Sequence, residues 1–102
     1  MIRGQVPHRP QEHVRPKPTL PAPGYQRSRA ALGDNTHTAG IAAALELSAA
    51  SRPYATDTLS GLMVRVLYAP RYGDYPGLRL YYSVDDIAIR LLRIEHYDEL
   101  EP

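Results

Sequence analysis

The stretch from Leu78 to His96, LRLYYSVDDIAIRLLRIEH, decides the fold. In its first part Leu78, Leu80, Tyr82 and Val84 alternate with Arg79, Tyr81 and Ser83. A period of two puts the first set on one face of a β-strand and the second on the other. Asp85-Asp86 then interrupts the alternation. Asx side chains tolerate the left-handed backbone of tight turns, so the pair predicts a hairpin. The run from Ile87 to His96 is apolar at both parities, with Ile87, Ile89 and Leu91 on one and Leu92 and Ile94 on the other. That pattern predicts a central strand covered on both faces.

Moving upstream, Pro70 to Gly77 holds Gly73, Asp74, Pro76 and Gly77 and predicts a turn. Leu62 to Ala69 predicts another strand, with Leu62, Val64, Val66 and Tyr68 on one face and Met63, Arg65 and Leu67 on the other. A loop over 54–61 ends in Ser60-Gly61. Ala39 to Ser51 contains six Ala, the best helix former, and predicts a helix. Ile41, Ala44, Leu45 and Ser48 share a stripe on it, with Leu47 beside them. Thr36 or Thr38 can cap its first turn, and Arg52-Pro53 stops it. Short connections between the strands favour an antiparallel meander. The expected fold class is α+β: a helix packed on a small antiparallel sheet, within a domain spanning residues 38–102.

Residues 1–37 read differently. Pro7, Pro10, Pro16, Pro18, Pro21 and Pro23 each lack an amide hydrogen and turn the preceding residue away from helix. Apolar residues are sparse, so little burial offsets the ordering entropy. The expectation is a disordered or polyproline-like arm, whose Pro-x-Pro stretches can dock in an aromatic groove. The arm is also basic. Residues 1–35 hold six Lys/Arg against two Asp/Glu, while residues 36–102 hold six against nine. The whole chain is net +1, which gives no overall push towards nucleic acid or membrane.

There is no Cys, Phe or Trp among the 102 residues. The lack of Cys excludes disulfide frameworks and thiolate metal sites and suits a reducing cytoplasm. No run of apolar residues is long enough for a transmembrane helix, and no secretory signal is expected.

Few constellations suggest chemistry. Ser83 and His96 lie on adjacent strands, but no nucleophile elbow surrounds the serine. His8, His13 and His37 lie in the arm without ligand spacing, and His96 with Glu95 and Asp98 reads as an exposed strand end rather than a metal site. Arg79 and Tyr81 alternate onto one face, with Arg65, Arg90 and Arg93 nearby. An Arg beside Tyr rings on an open sheet can hold a phosphate and stack a base. The alternative is a solvated face whose Arg and Tyr residues pair with Asp85 or Glu95.

Residues 39–100 resemble the C-terminal two-thirds of the RelE/ParE superfamily of toxin–antitoxin toxins. The segments that carry the resemblance are ALELSAASRPYATDTLSG and VRVLYAPRYGDYPGLRLYYSVDDIAIRLLRIEHYDEL, in particular Leu59-Ser60-Gly61 and the strand and hairpin from Arg79 to Asp86. The resemblance implies helices on one face of a curved antiparallel sheet, a cognate antitoxin encoded alongside, and no cofactor. For the RelE branch it implies ribosome-dependent, metal-free mRNA cleavage by basic and tyrosine side chains. It places Arg79 at the scissile phosphate, with Tyr81, Arg93, His96 and Tyr97 as helpers. A protein target, as in gyrase-directed ParE, or an inactive truncated member are the alternatives. The family begins with a strand and a first helix, where this sequence offers the Pro-rich arm. It also has basic residues near its end, where this chain has Glu95-His96-Tyr97-Asp98.

Overall fold

A computed structural model describes residues 17–56, 58–59 and 63–97. The fold is α+β, with two helices packed on a four-stranded mixed sheet. In chain order the elements are β1 (Thr19–Pro21), α1 (Pro23–Ala31), α2 (Thr36–Ser51), β2 (Arg65–Ala69), β3 (Gly77–Val84) and β4 (Ile89–Tyr97). The sheet order is β1-β4-β3-β2. The pairs β2–β3 and β3–β4 are antiparallel, as expected, but β1 runs parallel to β4.

The expectation of an unstructured lead is corrected for residues 19–31, which form a strand and a helix. The prolines that suggested disorder sit where their missing amides cost nothing. Pro18 uses its carbonyl, accepting from the Ile89 N–H at 2.9 Å, and Pro21 lies on an edge strand. Pro23 opens α1, where a fixed φ is already helical. Gly33 follows the helix end at φ 87°, a left-handed conformation that glycine adopts without strain. Residues 1–16, with Pro7, Pro10, Pro16, His8 and His13, lie outside the described residues. So do Ser60, Gly61, Leu62 and the acidic end from Asp98.

Helix α2 starts three residues before the expected Ala39. Its cap is Asn35, whose side-chain oxygen accepts from the Thr38 N–H at 3.0 Å, rather than Thr36 or Thr38. It ends at Ser51, before Arg52-Pro53, as the sequence predicts. The buried stripe is Thr38, Ala42, Leu45 and Ala49, flanked by Ile41 and Ala50. Ala44 and Ser48 face outward, and Leu47 is 67% exposed. In so Ala-rich a helix, many stripes are nearly equally apolar. The one chosen puts Ala42 and Ala49, both fully buried, where the helix approaches the sheet closely.

The core face of β3 is Leu78, Leu80 and Tyr82, all nearly inaccessible, as the alternation predicts. The Tyr82 hydroxyl donates to the Pro53 carbonyl at 3.0 Å and lies 2.9 Å from the Thr56 hydroxyl, which satisfies its one polar atom. On β2 the helix side carries Arg65, Leu67 and Ala69, which pair with Tyr82, Leu80 and Leu78. Val66 and Tyr68 therefore face the other way.

Strand β4 corrects the expectation of a strand apolar on both faces. Its register shifts between Tyr81 and Tyr82, where Tyr81 pairs with Arg93 but Tyr82 pairs with Leu91. Leu92 is the extra residue of a β-bulge, and the bulge resets the alternation. Ile89, Leu91 and Ile94 all reach the helix-side core, although their numbers differ in parity. Ile87 is not in the strand. It sits on the β3–β4 turn, 70% exposed. Asp85 builds that turn: its Oδ1 accepts the N–H groups of Ile87 and Ala88, both at 2.8 Å, and its Oδ2 accepts from Arg90 at 2.7 Å. These bonds, Arg90's foremost, hold the Asp85 carboxyl down at about 2.

Helix α1 locks onto β4 and α2. Ser28 Oγ accepts the Ile94 N–H at 3.0 Å, a donor that β1 is too short to reach. The buried Tyr25 donates its hydroxyl to Glu46 of α2. Burial, and then the Glu46 carboxylate, push that phenol far above its ordinary range.

Candidate functional site

Both helices pack against one side of the sheet, so among the described residues no helix covers its other, open face. Strand alternation fixes what stands there. Register places Arg79 of β3 between Tyr68 of β2 and Glu95 of β4, and Tyr81 between Val66 and Arg93. Tyr97 pairs with Gly77. A Cβ on Gly77 would lie 2.8 Å from the Tyr97 ring and 2.7 Å from the Ala69 carbonyl oxygen. The bare backbone at Gly77 therefore gives the Tyr97 ring its seat.

Glu95 is the hub of this face. Arg79 Nε donates to Glu95 Oε2 at 2.6 Å, and Arg93 Nε donates to Oε1 at 2.8 Å. The Tyr81 hydroxyl donates to Oε2 at 3.2 Å. The Arg79 guanidinium carbon also stands 5.9 Å from the Tyr81 ring centroid and 5.7 Å from that of Tyr97, within cation–π range of both. Tyr68 meets Tyr97 edge-on at 5.3 Å.

These contacts set the charges. Partial burial works to raise the Glu95 pKa, but hydrogen bonds from Arg93 and Arg79 outweigh it and lower it. Burial works against the Arg79 charge, and Glu95 overrides it, so the guanidinium is more firmly protonated than usual. Burial raises the Tyr81 phenol, and the neighbouring carboxylate raises it further. Tyr81 is therefore a neutral hydrogen-bond donor at physiological pH. Two guanidinium groups share one carboxylate, leaving a single net positive charge. A phosphate entering here meets the Glu95 carboxylate held against Arg79.

Of the five residues singled out in the sequence, the structure brings four together: Arg79, Tyr81, Arg93 and Tyr97. His96 is not among them. It pairs with Leu78, a core residue, so alternation turns it towards the helix side of the sheet. Ser83 pairs with Arg90, five residues along β3 from Leu78, or roughly 17 Å from the His96 position. The two do not meet. His37 is not in a loose arm: it lies in the first turn of α2 and stacks on Tyr75 at 4.1 Å and Tyr72 at 5.6 Å. Arg65 points to the helix side, where its side chain donates to the Thr56 carbonyl and lies 5.1 Å from the Tyr54 ring centroid. Among the described residues, no three His, Asp or Glu side chains converge on a common point.

Sequence reasoning treated Glu95 as a possible partner of the arginines and overlooked Tyr68. The usable signal was distance from the hairpin: counting back from Asp85-Asp86 sets Arg79 against Glu95 only once the bulge residue is allowed for. Beside the hub the open face also has a hollow of ≈350 Å³, lined by Leu59, Val64, Tyr81, Leu92, Arg93 and Glu95. No described helix is long and apolar enough to cross a membrane. Comparison with protein families, curated proteins and solved structures returned no match.

Proposed function

We propose that this chain is a RelE/ParE-like toxin of a toxin–antitoxin pair, acting in the cytoplasm by binding a protein target through its open sheet face. The order strand–helix–helix–three strands supports the family reading, because β1 and α1 supply the opening elements that the sequence lacked signals for. The observation that carries the protein-directed mode is the Arg79–Glu95–Arg93 cluster. It neutralises the arginine best placed to hold a phosphate, and binding a polyanion beside a fixed carboxylate is unfavourable. A protein surface suits the same face better: Tyr68 and Tyr81 are amphipathic, and the apolar hollow beside Glu95 admits one side chain.

mRNA cleavage is the second reading. It is favoured by Arg79 standing between two tyrosine rings, an arrangement that stacks bases and binds phosphate. In that mode the cognate antitoxin covers the face, and Glu95 swings aside when ribosome-bound mRNA arrives.

Induced expression in a bacterial culture, with Arg79→Ala in parallel, tests both. Growth arrest by the parent, relieved in a folded Arg79→Ala protein, is the expected outcome. No arrest from soluble, folded parent protein sinks the toxin reading. Transcript cuts in a purified translation system that vanish with Arg79→Ala overturn the protein-directed mode in favour of cleavage.

A further inference from the structure

Helix α2 has a second long side, turned away from the sheet. Gly40, Ala44, Leu47 and Ser51 run along it with Ala43 beside them, and all are exposed. Between Thr36 and Ser51 there is no Lys, Arg or Asp, and the single Glu, Glu46, is engaged with Tyr25. The exposed side of this helix is therefore as apolar as its buried side. A helix that is apolar all round is one that is covered all round. Among the described residues nothing covers this side.

Gly40 is a second, independent sign. It stands inside the helix, where glycine is a poorer former than alanine. Its φ is not positive, and a Cβ built on it would meet nothing within 4 Å. Neither a turn nor a close approach within the chain calls for a bare backbone there, whereas an approach from outside does. Leu47 stands two turns further along the same side, roughly 10 Å away along the axis, and is 67% exposed. A two-fold axis between Ala43 and Ala44 lays Leu47 of one copy over Gly40 of the other, and the reverse, with Ala43 facing Ala44. The same axis carries Asp34, just before the helix, to the end where Arg52 of the other copy follows it. Both side chains are exposed, and neither has a hydrogen bond or ion pair among the described residues.

We infer that the outer side of α2 is a self-association face, which packs antiparallel on α2 of a second copy of this chain. Two features select this occupant. An isologous contact needs each feature and its complement on one surface, at matching distances from one axis. Leu47 and Gly40 meet that condition as knob and bare seat, and Arg52 and Asp34 meet it as base and acid. The antiparallel sense follows from the charges: it brings opposite charges together at both ends of the pair, and it sets each helix dipole against the other. A parallel pair would put like beside like. The face lies on the helix side of the sheet, away from Arg79, and does not depend on the reading of the open face.

The test is sedimentation equilibrium of the full chain at concentrations up to about 1 mM, the weak limit of a specific association. A monomer–dimer equilibrium is expected. Leu47→Glu puts a charge into the contact and should weaken association at least about tenfold, with native circular dichroism because the position is exposed in the single chain. Gly40→Leu fills the seat and should weaken it by a similar factor. Compared at a concentration where both are monomeric, this variant should resist urea at least as well as the parent, since leucine is the better helix former. A glycine needed by the fold itself would show the opposite pattern. Asp34→Arg and Arg52→Asp should each weaken the dimer about fivefold, and the two together should restore it. A parent that stays monomeric throughout, or a dimer that tolerates both Leu47→Glu and Gly40→Leu, overturns the proposal. A dimer that the paired charge reversal does not restore overturns the antiparallel arrangement.

Discussion

The two faces of the β3–β4 ribbon are built from the same residues in alternation and do opposite things. On the helix side Leu78, Leu80, Tyr82 and Ile94 are almost wholly removed from water, and their contacts cross from strand to helix. On the open side Glu95 binds Arg79 and Tyr81 across to β3, and Arg93 along β4 itself. The first face holds the fold together, and the second is held in place by it. Charges that neutralise one another within a sheet face can be altered without loss of the fold, which is what a binding surface requires.

The sharpest way to break the comparison is to remove apolar volume from the helix side. Leu80→Ala leaves a cavity at a fully buried position and should cost about 2–5 kcal/mol. In a unit this small that is a large share of the total stability. Urea titration followed by circular dichroism measures it, and a cost below about 1 kcal/mol would mean that the helices do not seal the sheet.

An intermediate effect is expected where the two faces share a constraint. Gly77→Ala puts a methyl group against the Ala69 carbonyl and the Tyr97 ring, and should cost about 1–3 kcal/mol. It should also push Tyr97 off Arg79. Tyrosine ring shifts in an NMR spectrum would report this, and an unmoved Tyr97 resonance in a stable variant would show that the ring is not seated on Gly77.

The smallest stability effect belongs to the open face. Glu95→Gln removes a carboxylate shared by two partly exposed arginines, and such pairs are worth at most about 1 kcal/mol. The sign with pH follows from the lowered Glu95 pKa: the folded state binds fewer protons than the unfolded state in the acidic range. The contribution is therefore present above the ordinary carboxylate pKa and lost as pH falls through the folded value. Parent and variant should converge in acid. The same variant frees Arg79 and Arg93, so retention on a polyanion column should increase, more at low salt than at high. Unchanged retention would mean that Glu95 does not control the charge of this face.

Much of the fold was legible in the sequence because its signals are local. The period of two in β3, the Asp85-Asp86 turn and the halt at Arg52-Pro53 each lie within a few residues, and each is observed. The candidate site was half legible. Arg79 and Tyr81 share a face by alternation alone, but their common partner Glu95 lies 16 and 14 residues away. Arg93, grouped with them in the sequence, takes its place through a bulge that alternation does not foresee, while His96, named as a helper through the resemblance, stands on the helix side of the sheet.

The sequence by itself determined that a strand with one apolar and one polar face runs into a hairpin at Asp85-Asp86, and that an Ala-rich helix precedes it, since backbone sterics and side-chain periodicity settle both without distant contacts. Tertiary structure alone decided the rest. Residues 19–31 carry too little apolar surface to order themselves, and become strand and helix because the open edge of β4 supplies hydrogen bonds and its core face takes Tyr25. The buried stripe of α2 was chosen by how closely the sheet could be approached. Glu95 became the hub of the open face because pairing across β3 and β4 brought Arg79 and Tyr81 to a carboxylate that Arg93 shares along its own strand. In each case the deciding partner is remote in sequence, so no local pattern could carry the information.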